Sequence, residues 1–151
     1  MKIRITDIAE TAIEGVTVYH NTETPYAEDY FEWAHSPLTA PFSASDISGG
    51  ILTCWHHTFT FHELECHEDQ EMFYFMQGTA VMVFADQEQG TVVPDSIQMV
   101  KIPAGTQLII QKGKAHFVPA ALDSTPVKIV VVSPNMEAPR LSLKEPVTGV
   151  L

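Results

Sequence analysis

The sequence predicts an all-β protein with a closed or double-sheet antiparallel architecture. Many short stretches are rich in β-branched and aromatic residues, and turn residues separate them. Almost no stretch shows the periodicity of an amphipathic helix. The chain has 151 residues, of which 45% are hydrophobic, so it is long enough to bury one core and is of the size of a single domain.

The N-terminal third combines two predicted strands with an irregular segment rich in aromatic residues. Residues 2–8 alternate apolar and polar side chains, and residues 16–19 follow Gly15. Within residues 21–50, the stretch 27–35 is expected to form one short helix that ends at Ser36-Pro37. The rest of this segment is predicted to be a long ordered loop, which covers either the mouth of a barrel or a dimer face.

The continuous β region begins after Gly49-Gly50. We divide the single domain, residues 1–151, into N-terminal strands and loop (1–50), a barrel core (51–134) and a C-terminal tail (135–151). Prolines punctuate the tail, which is expected to lie against the surface. In the core, His56 and His57 must face opposite sides of a strand, and ordinary hydrogen bonds are expected for both. The predicted core strands are 51–61, 61–67, 72–76, 79–86, 97–102, 107–111, 116–121 and 126–133.

The net charge and the hydropathy of the chain argue against nucleic acid and membranes as binding partners. A net charge of −11 repels nucleic acid and anionic membrane surfaces, so neither is an expected partner. The longest apolar runs are too short to span a bilayer, and the N-terminus lacks the apolar region of a signal peptide, so a cytoplasmic protein is expected. In that compartment Cys54 and Cys66 are expected to be thiols.

Polar side chains that can handle a metal or a proton cluster around residues 62–78. In an extended chain Glu65 and His67 point to the same face, whereas His62 points to the other. A turn through residues 68–70 then brings Glu71 onto the next strand. Imidazole and carboxylate groups that converge from neighbouring strands indicate either a transition-metal site or buried polar residues that satisfy one another.

The spacing of these residues resembles the first of two motifs of the cupin family. Three residues separate His67 from Glu71 and six more precede Gly78, as in that motif, although Glu65 and Phe59 stand at its first histidine and opening glycine. The second motif begins at Gly105, with 26 residues between it and Gly78. Gly105, Gly113 and His116 keep the spacing of this motif, whereas Gln111 and Ala120 replace its proline and its asparagine. The resemblance implies a jelly-roll barrel, also called a double-stranded β-helix, and a homodimer. It also implies one divalent transition metal, Zn, Ni, Mn or Fe, held by Glu65, His67, Glu71 and His116.

One branch of the cupins is more similar. The segment His62-Glu-Leu-Glu-Cys-His67 and the segment Gly113-Lys-Ala-His116 are similar to segments of ureidoglycolate lyases, with Cys66 in place of an arginine. That resemblance implies cleavage of a carbon–nitrogen bond in a small anionic ureido or hydroxy acid. The candidate catalytic residues are Glu65, as ligand or base, His62 and Lys114, and the candidate substrate-binding residues are Tyr74 and Lys112. The same barrel also suits a sugar isomerase or epimerase, a small-acid oxygenase, or a non-catalytic module that binds a small ligand.

Overall fold

The computed structural model describes residues 1–20 and 23–151, so Asn21 and Thr22, the first residues of the predicted loop, lie outside the described residues. About 54% of the chain is strand and 2% is helical, which confirms the predicted all-β class. The one 3₁₀ turn among the described residues spans Pro94–Ser96. The described residues form sixteen strands: β1 (Lys2–Asp7), β2 (Val16–Tyr19), β3 (Tyr26–Glu28), β4 (Phe31–Trp33), β5 (Ser48–Cys54), β6 (Thr60–Glu65), β7 (Glu71–Gln77), β8 (Thr79–Ala85), β9 (Gln87–Glu88), β10 (Thr91–Val92), β11 (Gln98–Pro103), β12 (Gln107–Ile110), β13 (Ala115–His116), β14 (Ala120–Ala121), β15 (Val127–Ser133) and β16 (Arg140–Val150).

Six strands close into a mixed barrel. Their order is β11-β1-β16-β6-β13-β8, and β8 pairs with β11 to complete the ring, while β14 extends the sheet beyond β8. Strand β1 runs parallel to both of its neighbours, β11 and β16, and the other pairs in the ring are antiparallel. The N-terminal strand β1 therefore pairs with the main body of the protein, as its alternating sequence predicts.

A second sheet of five strands carries the rest of the jelly roll. Its order is β2-β12-β7-β15-β5, with all pairs antiparallel. The chain passes from β7 in this sheet to β8 in the ring through Gly78, whose φ of 74° is readily adopted only by glycine. A Cβ atom at this position would also lie 2.9 Å from the carbonyl oxygen of Pro126, so the turn requires glycine for space as well.

Two hydrophobic clusters fill the fold because β8 is buried on both faces. Alternate residues of β8 point in opposite directions, so Phe84 packs with Phe73 and Phe75 between the ring and the five-stranded sheet. Val83 instead packs with Leu64 in the second cluster, most of whose members come from the strands of the ring. The space between the two sheets is therefore apolar except where polar residues of β6, β7 and β13 enter it.

Two expectations from the sequence are wrong. The stretch 27–35 is not a helix but contains part of a hairpin, in which Tyr26 of β3 pairs with Trp33 of β4. Aromatic residues favour extended pairs, and this preference prevails over the weak helical pattern. The C-terminal tail does not merely lie on the surface either, since β16 is the longest strand of the barrel and lies between β1 and β6. Pro146 is accommodated in β16 because the register with β6 shifts between Ser142 and Val147.

Two further findings bear on the environment of the chain. No helix within residues 1–20 and 23–151 is long and apolar enough to cross a membrane. Cys54 and Cys66 are both free thiols in the structure.

Candidate metal centre

The four predicted ligands meet between the two sheets. The Oε2 atom of Glu71 lies 3.0 Å from Nε2 of His116 and 3.3 Å from Nε2 of His67. The Oε1 atom of Glu65 lies 3.9 Å from Nε2 of His67. One donor atom from each of Glu65, His67 and His116 falls within 4.8 Å of the other two. Two imidazoles and two carboxylates thus share one small volume.

Strand pairing and one turn bring these side chains together. Glu65 ends β6 and is the register partner of His116 on β13, so both side chains point to the same face of the ring. The chain then turns and enters the five-stranded sheet at Glu71, the first residue of β7. His67 lies in this connection, where its carbonyl oxygen accepts a hydrogen bond from the N–H of Gly113. The predicted alternation and turn therefore place the donors as expected.

Backbone carbonyl groups determine that Nδ1 carries a hydrogen in both histidines. The Nδ1 atom of His67 lies 3.0 Å from the carbonyl oxygen of Glu137, and that of His116 lies 3.0 Å from the carbonyl oxygen of Lys114. A carbonyl oxygen only accepts hydrogen bonds, so each Nδ1 carries a hydrogen and Nε2 is the ring nitrogen that faces the site. Both Nε2 atoms lie close to Oε2 of Glu71, and either a proton or a cation between these atoms makes the contacts attractive.

The donor set fits a divalent transition metal. Bonds of about 2.0–2.2 Å place adjacent ligands of one tetrahedral or octahedral ion roughly 2.8–3.6 Å apart and opposite ligands of an octahedral ion roughly 4.0–4.4 Å apart. Both contacts of Glu71 with the imidazoles fall within the range of adjacent ligands, whereas the 3.9 Å contact of Glu65 with His67 falls between the two ranges. Histidines whose other nitrogen donates to a carbonyl group are typical of metal sites, because that bond sets the tautomer and the ring orientation.

A cavity gives access to the centre. It has a volume of about 220 Å³, and its polar wall consists of Glu65, Glu71 and His116. Phe73 and Phe117 contribute to its apolar wall. Catalytic metal sites keep a position open to substrate, whereas structural sites are closed by protein ligands. The arrangement is therefore of the kind that can hold a metal and admit a small molecule beside it.

Arg140 is a member of the site that the sequence analysis missed. Its Nη1 donates a hydrogen bond of 2.5 Å to Oε2 of Glu65, its register partner on the neighbouring strand. The guanidinium group also lies 4.9 Å above the ring of Phe117, within the range of a cation–π interaction. The alternation of Leu141 and Leu143 with polar residues is the signal that could have identified this strand, but the prolines nearby obscured it.

Four residues predicted to take part are not brought to the centre. His62 is exposed and alternates away from Glu65. Tyr74 points outward from the five-stranded sheet, because it alternates with the inward-facing Phe73 and Phe75. Lys112 is exposed, and the buried ammonium group of Lys114 lies 2.6 Å from Asp86. Lys114 contributes to the centre only through its carbonyl oxygen, which accepts from His116.

The histidine pair at the end of β5 behaves as predicted from the sequence. His56 and His57 are both exposed. Their Nδ1 atoms lie 2.9 Å and 2.7 Å from the carbonyl oxygens of Ala121 and Thr58, respectively. These are ordinary local hydrogen bonds.

Asp69 is a second residue that the sequence analysis did not single out. It lies in the turn between His67 and Glu71, and its carboxylate accepts hydrogen bonds from the backbone N–H groups of Ser43 and Ala44. These bonds hold the pKa of the Asp69 carboxyl below its ordinary value. The turn that carries the centre is thereby tied to the segment leading into β5, whose residues 50–52 line the cavity.

Comparisons with known proteins agree with this fold. No protein-family model and no curated protein matches the chain. Among solved structures, the chain is similar to RmlC from Streptococcus suis in complex with dTDP-D-xylose, with a TM-score of 0.53 and 12% identity over 81% of this chain and 66% of that one. A sugar 3,4-ketoisomerase, QdtA from Thermoanaerobacterium thermosaccharolyticum, gives a TM-score of 0.49 and 12% identity over 83% of this chain and 85% of that one.

The Mn(II)-containing oxalate decarboxylase of Bacillus subtilis is also similar, with a TM-score of 0.47 and 16% identity over 64% of this chain. The matched region spans only 24% of that decarboxylase chain. Of the three, only the RmlC structure has a TM-score above 0.5, and at 12% identity this similarity supports the fold alone. The fold is the cupin jelly roll, as the two sequence motifs predict.

Proposed function

We propose that this protein is a metal-dependent enzyme that cleaves a carbon–nitrogen bond in ureidoglycolate or a related small ureido or hydroxy acid, releasing urea and glyoxylate. One observation supports the metal: the Nε2 atoms of His67 and His116 both lie close to Oε2 of Glu71, at 3.3 Å and 3.0 Å. The proposed substrate follows from the resemblance of residues 62–67 and 113–116 to ureidoglycolate lyases.

The charge of the centre supports an anionic substrate. Glu65 and Glu71 carry two negative charges, and Arg140 compensates one of them. The histidines are neutral when Nδ1 alone is protonated. A divalent ion would therefore reverse the sign of the centre from negative to positive and attract a carboxylate. The cavity volume of about 220 Å³ suits a small acid better than a drug-sized ligand, which typically needs roughly 300–1,000 Å³.

The distances suggest different roles for the two carboxylates. His67, His116 and Glu71 have the spacing of ligands to one ion and would hold the metal. The bound metal would act as a Lewis acid that polarises the hydroxyl and carboxylate oxygens of the substrate. Glu65, whose Oε1 is set back at 3.9 Å from His67, is then the candidate base.

The proposed reaction needs only one proton carrier. Glu65 Oε1 removes the proton from the hydroxyl group of the substrate, and the oxygen forms the new C=O bond of glyoxylate. The C–N bond breaks, and its electron pair stays on the urea nitrogen. Glu65 then returns the same proton to that nitrogen, so the carboxylate is regenerated.

Elemental analysis of untagged protein tests the metal, and turnover tests the substrate. Wild type should contain about one equivalent of a transition metal, and His67→Ala should lose it. Glu65→Gln should keep the metal but lose release of urea and glyoxylate, whereas loss of metal in this variant would make Glu65 a ligand.

Three results would refute parts of the proposal. Absence of metal from wild type, even after incubation with Mn²⁺, Zn²⁺, Ni²⁺ or Fe²⁺, would remove the Lewis acid and leave Glu71 and His116 as an acid–base pair. A metal-loaded protein that turns over sugar substrates but not ureido acids would exclude the lyase. Binding without turnover of either class would indicate a non-catalytic module.

A further inference from the structure

The two carboxylate oxygens of Glu65 have different neighbours. Oε2 receives the 2.5 Å hydrogen bond from Nη1 of Arg140, on the side away from the imidazoles. Oε1 faces His67 at 3.9 Å, which is 0.6 Å longer than the 3.3 Å contact of Glu71 with the same nitrogen. A charge-assisted hydrogen bond of this kind is among the strongest in proteins, so it can determine where a buried carboxylate rests.

Arg140 is itself held in place by its surroundings. Its guanidinium group lies over the ring of Phe117, and its Nε lies 3.9 Å from the carboxylate of Glu63. Strand pairing places its backbone directly opposite Glu65. About half of the Arg140 side chain is exposed, whereas Glu65 is buried. The guanidinium group of Arg140 is therefore held by Phe117 and Glu63 while it binds the carboxylate of Glu65, which lines the cavity.

We propose that Arg140 is a positioning residue that holds Glu65 outside the set of metal ligands and so keeps it available as the base. This inference rests on the proposed function. Without the hydrogen bond to Oε2, the Glu65 carboxylate is free to move the few tenths of an ångström that bring Oε1 within ligand distance of a metal bound by His67 and Glu71. Loss of Arg140 should then strengthen metal binding and weaken catalysis.

Metal affinity and turnover, measured on the same variants, test the inference. Arg140→Met should bind Mn²⁺ about tenfold more tightly than wild type in a calorimetric titration, opposite in sign to the roughly 10–100-fold loss that usually follows mutation of partners around metal ligands. Its kcat should fall while the protein remains folded. A purely structural role for Arg140 predicts the opposite for the metal, namely weaker binding together with lower activity.

Removal of a positive charge alone also favours a cation, so a double-mutant cycle is required. In a Glu65→Gln background the side chain at position 65 is no longer an ionised ligand, and Arg140→Met should then tighten Mn²⁺ binding far less than in wild type. Arg4→Met is the matched control, because Arg4 is the other arginine of the chain and is exposed on β1. This variant should leave Mn²⁺ affinity and kcat unchanged.

Three results would overturn the inference: unchanged or weaker Mn²⁺ binding in Arg140→Met, equal tightening with and without Glu65, or an unaltered kcat. Each of these presupposes that wild type binds the metal. If wild type binds no metal, the proposed function itself is refuted. Failure of the proposed function can therefore be distinguished from failure of the inference about Arg140.

Discussion

Metal binding should stabilise the folded protein, because the centre exists only when both sheets are in place. Glu65 and His116 belong to the ring, Glu71 belongs to the five-stranded sheet, and His67 lies in the connection between them. An unfolded chain does not bring these donors together, so the metal binds the native state preferentially. At a metal concentration 100 times the dissociation constant, the expected stabilisation is about 2.7 kcal/mol. For a domain of about 150 residues this corresponds to a rise in Tm of roughly 5–11 °C.

Differential scanning calorimetry with chelator and with added metal measures this rise. His67→Ala should show no rise, since it removes one of the two imidazoles. His57→Ala is the control, because His57 is exposed and bonds only to the carbonyl of Thr58 in the same segment. An equal rise in Tm for His67→Ala and wild type would place the metal elsewhere and refute the assignment of the centre. The assignment would also be refuted if wild type binds a metal but its Tm does not change.

Three other predictions concern stability and reactivity. Phe75→Ala should lower the free energy of unfolding by about 3–5 kcal/mol in urea denaturation, because Phe75 is 1% exposed and packs between the sheets. Burial raises the pKa of the Cys54 thiol to about 11, so its alkylation by iodoacetamide at pH 8 should be slow in the native protein and become fast in urea. Asp69→Ala should release residues 43–44 and speed their cleavage in limited proteolysis, since their N–H groups lose an acceptor. The pKa of Asp69 is lowered, so this anchoring is complete above the ordinary carboxyl pKa and is lost as the pH falls through the lowered value.

Local spacing explains why so much of the centre could be predicted. Glu65, His67 and Glu71 lie within seven residues of one another, so the alternation of a strand and one turn decides where they point. His116 was predicted from the spacing of the second motif. The same alternation also indicated that His62 points away. In each case the geometry depends on a few neighbouring residues, and the sequence contains that information directly.

The missed parts depend on distant pairing. Arg140 is 75 residues from Glu65, and only the register of β16 against β6 makes them neighbours. The lysines at 112 and 114 are candidates from the sequence because they are close to a motif, but the fold buries Lys114 against Asp86 and exposes Lys112. Hairpin formation at residues 26–33 likewise depends on pairing of the two short strands rather than on the helical propensity of single residues.

The position of β16 between β1 and β6 also constrains how the protein can be made. In the ring, Lys2 is the register partner of Thr148, and Leu64 is the register partner of Leu141. A nascent chain therefore cannot close the barrel on the ribosome until the codons of β16 have been translated and this strand has left the exit tunnel. Until then β6 has an open edge, and the Glu65 carboxylate lacks its arginine. Folding of such a high-contact-order topology should be slow, and the candidate metal centre should form among the last features of the native state.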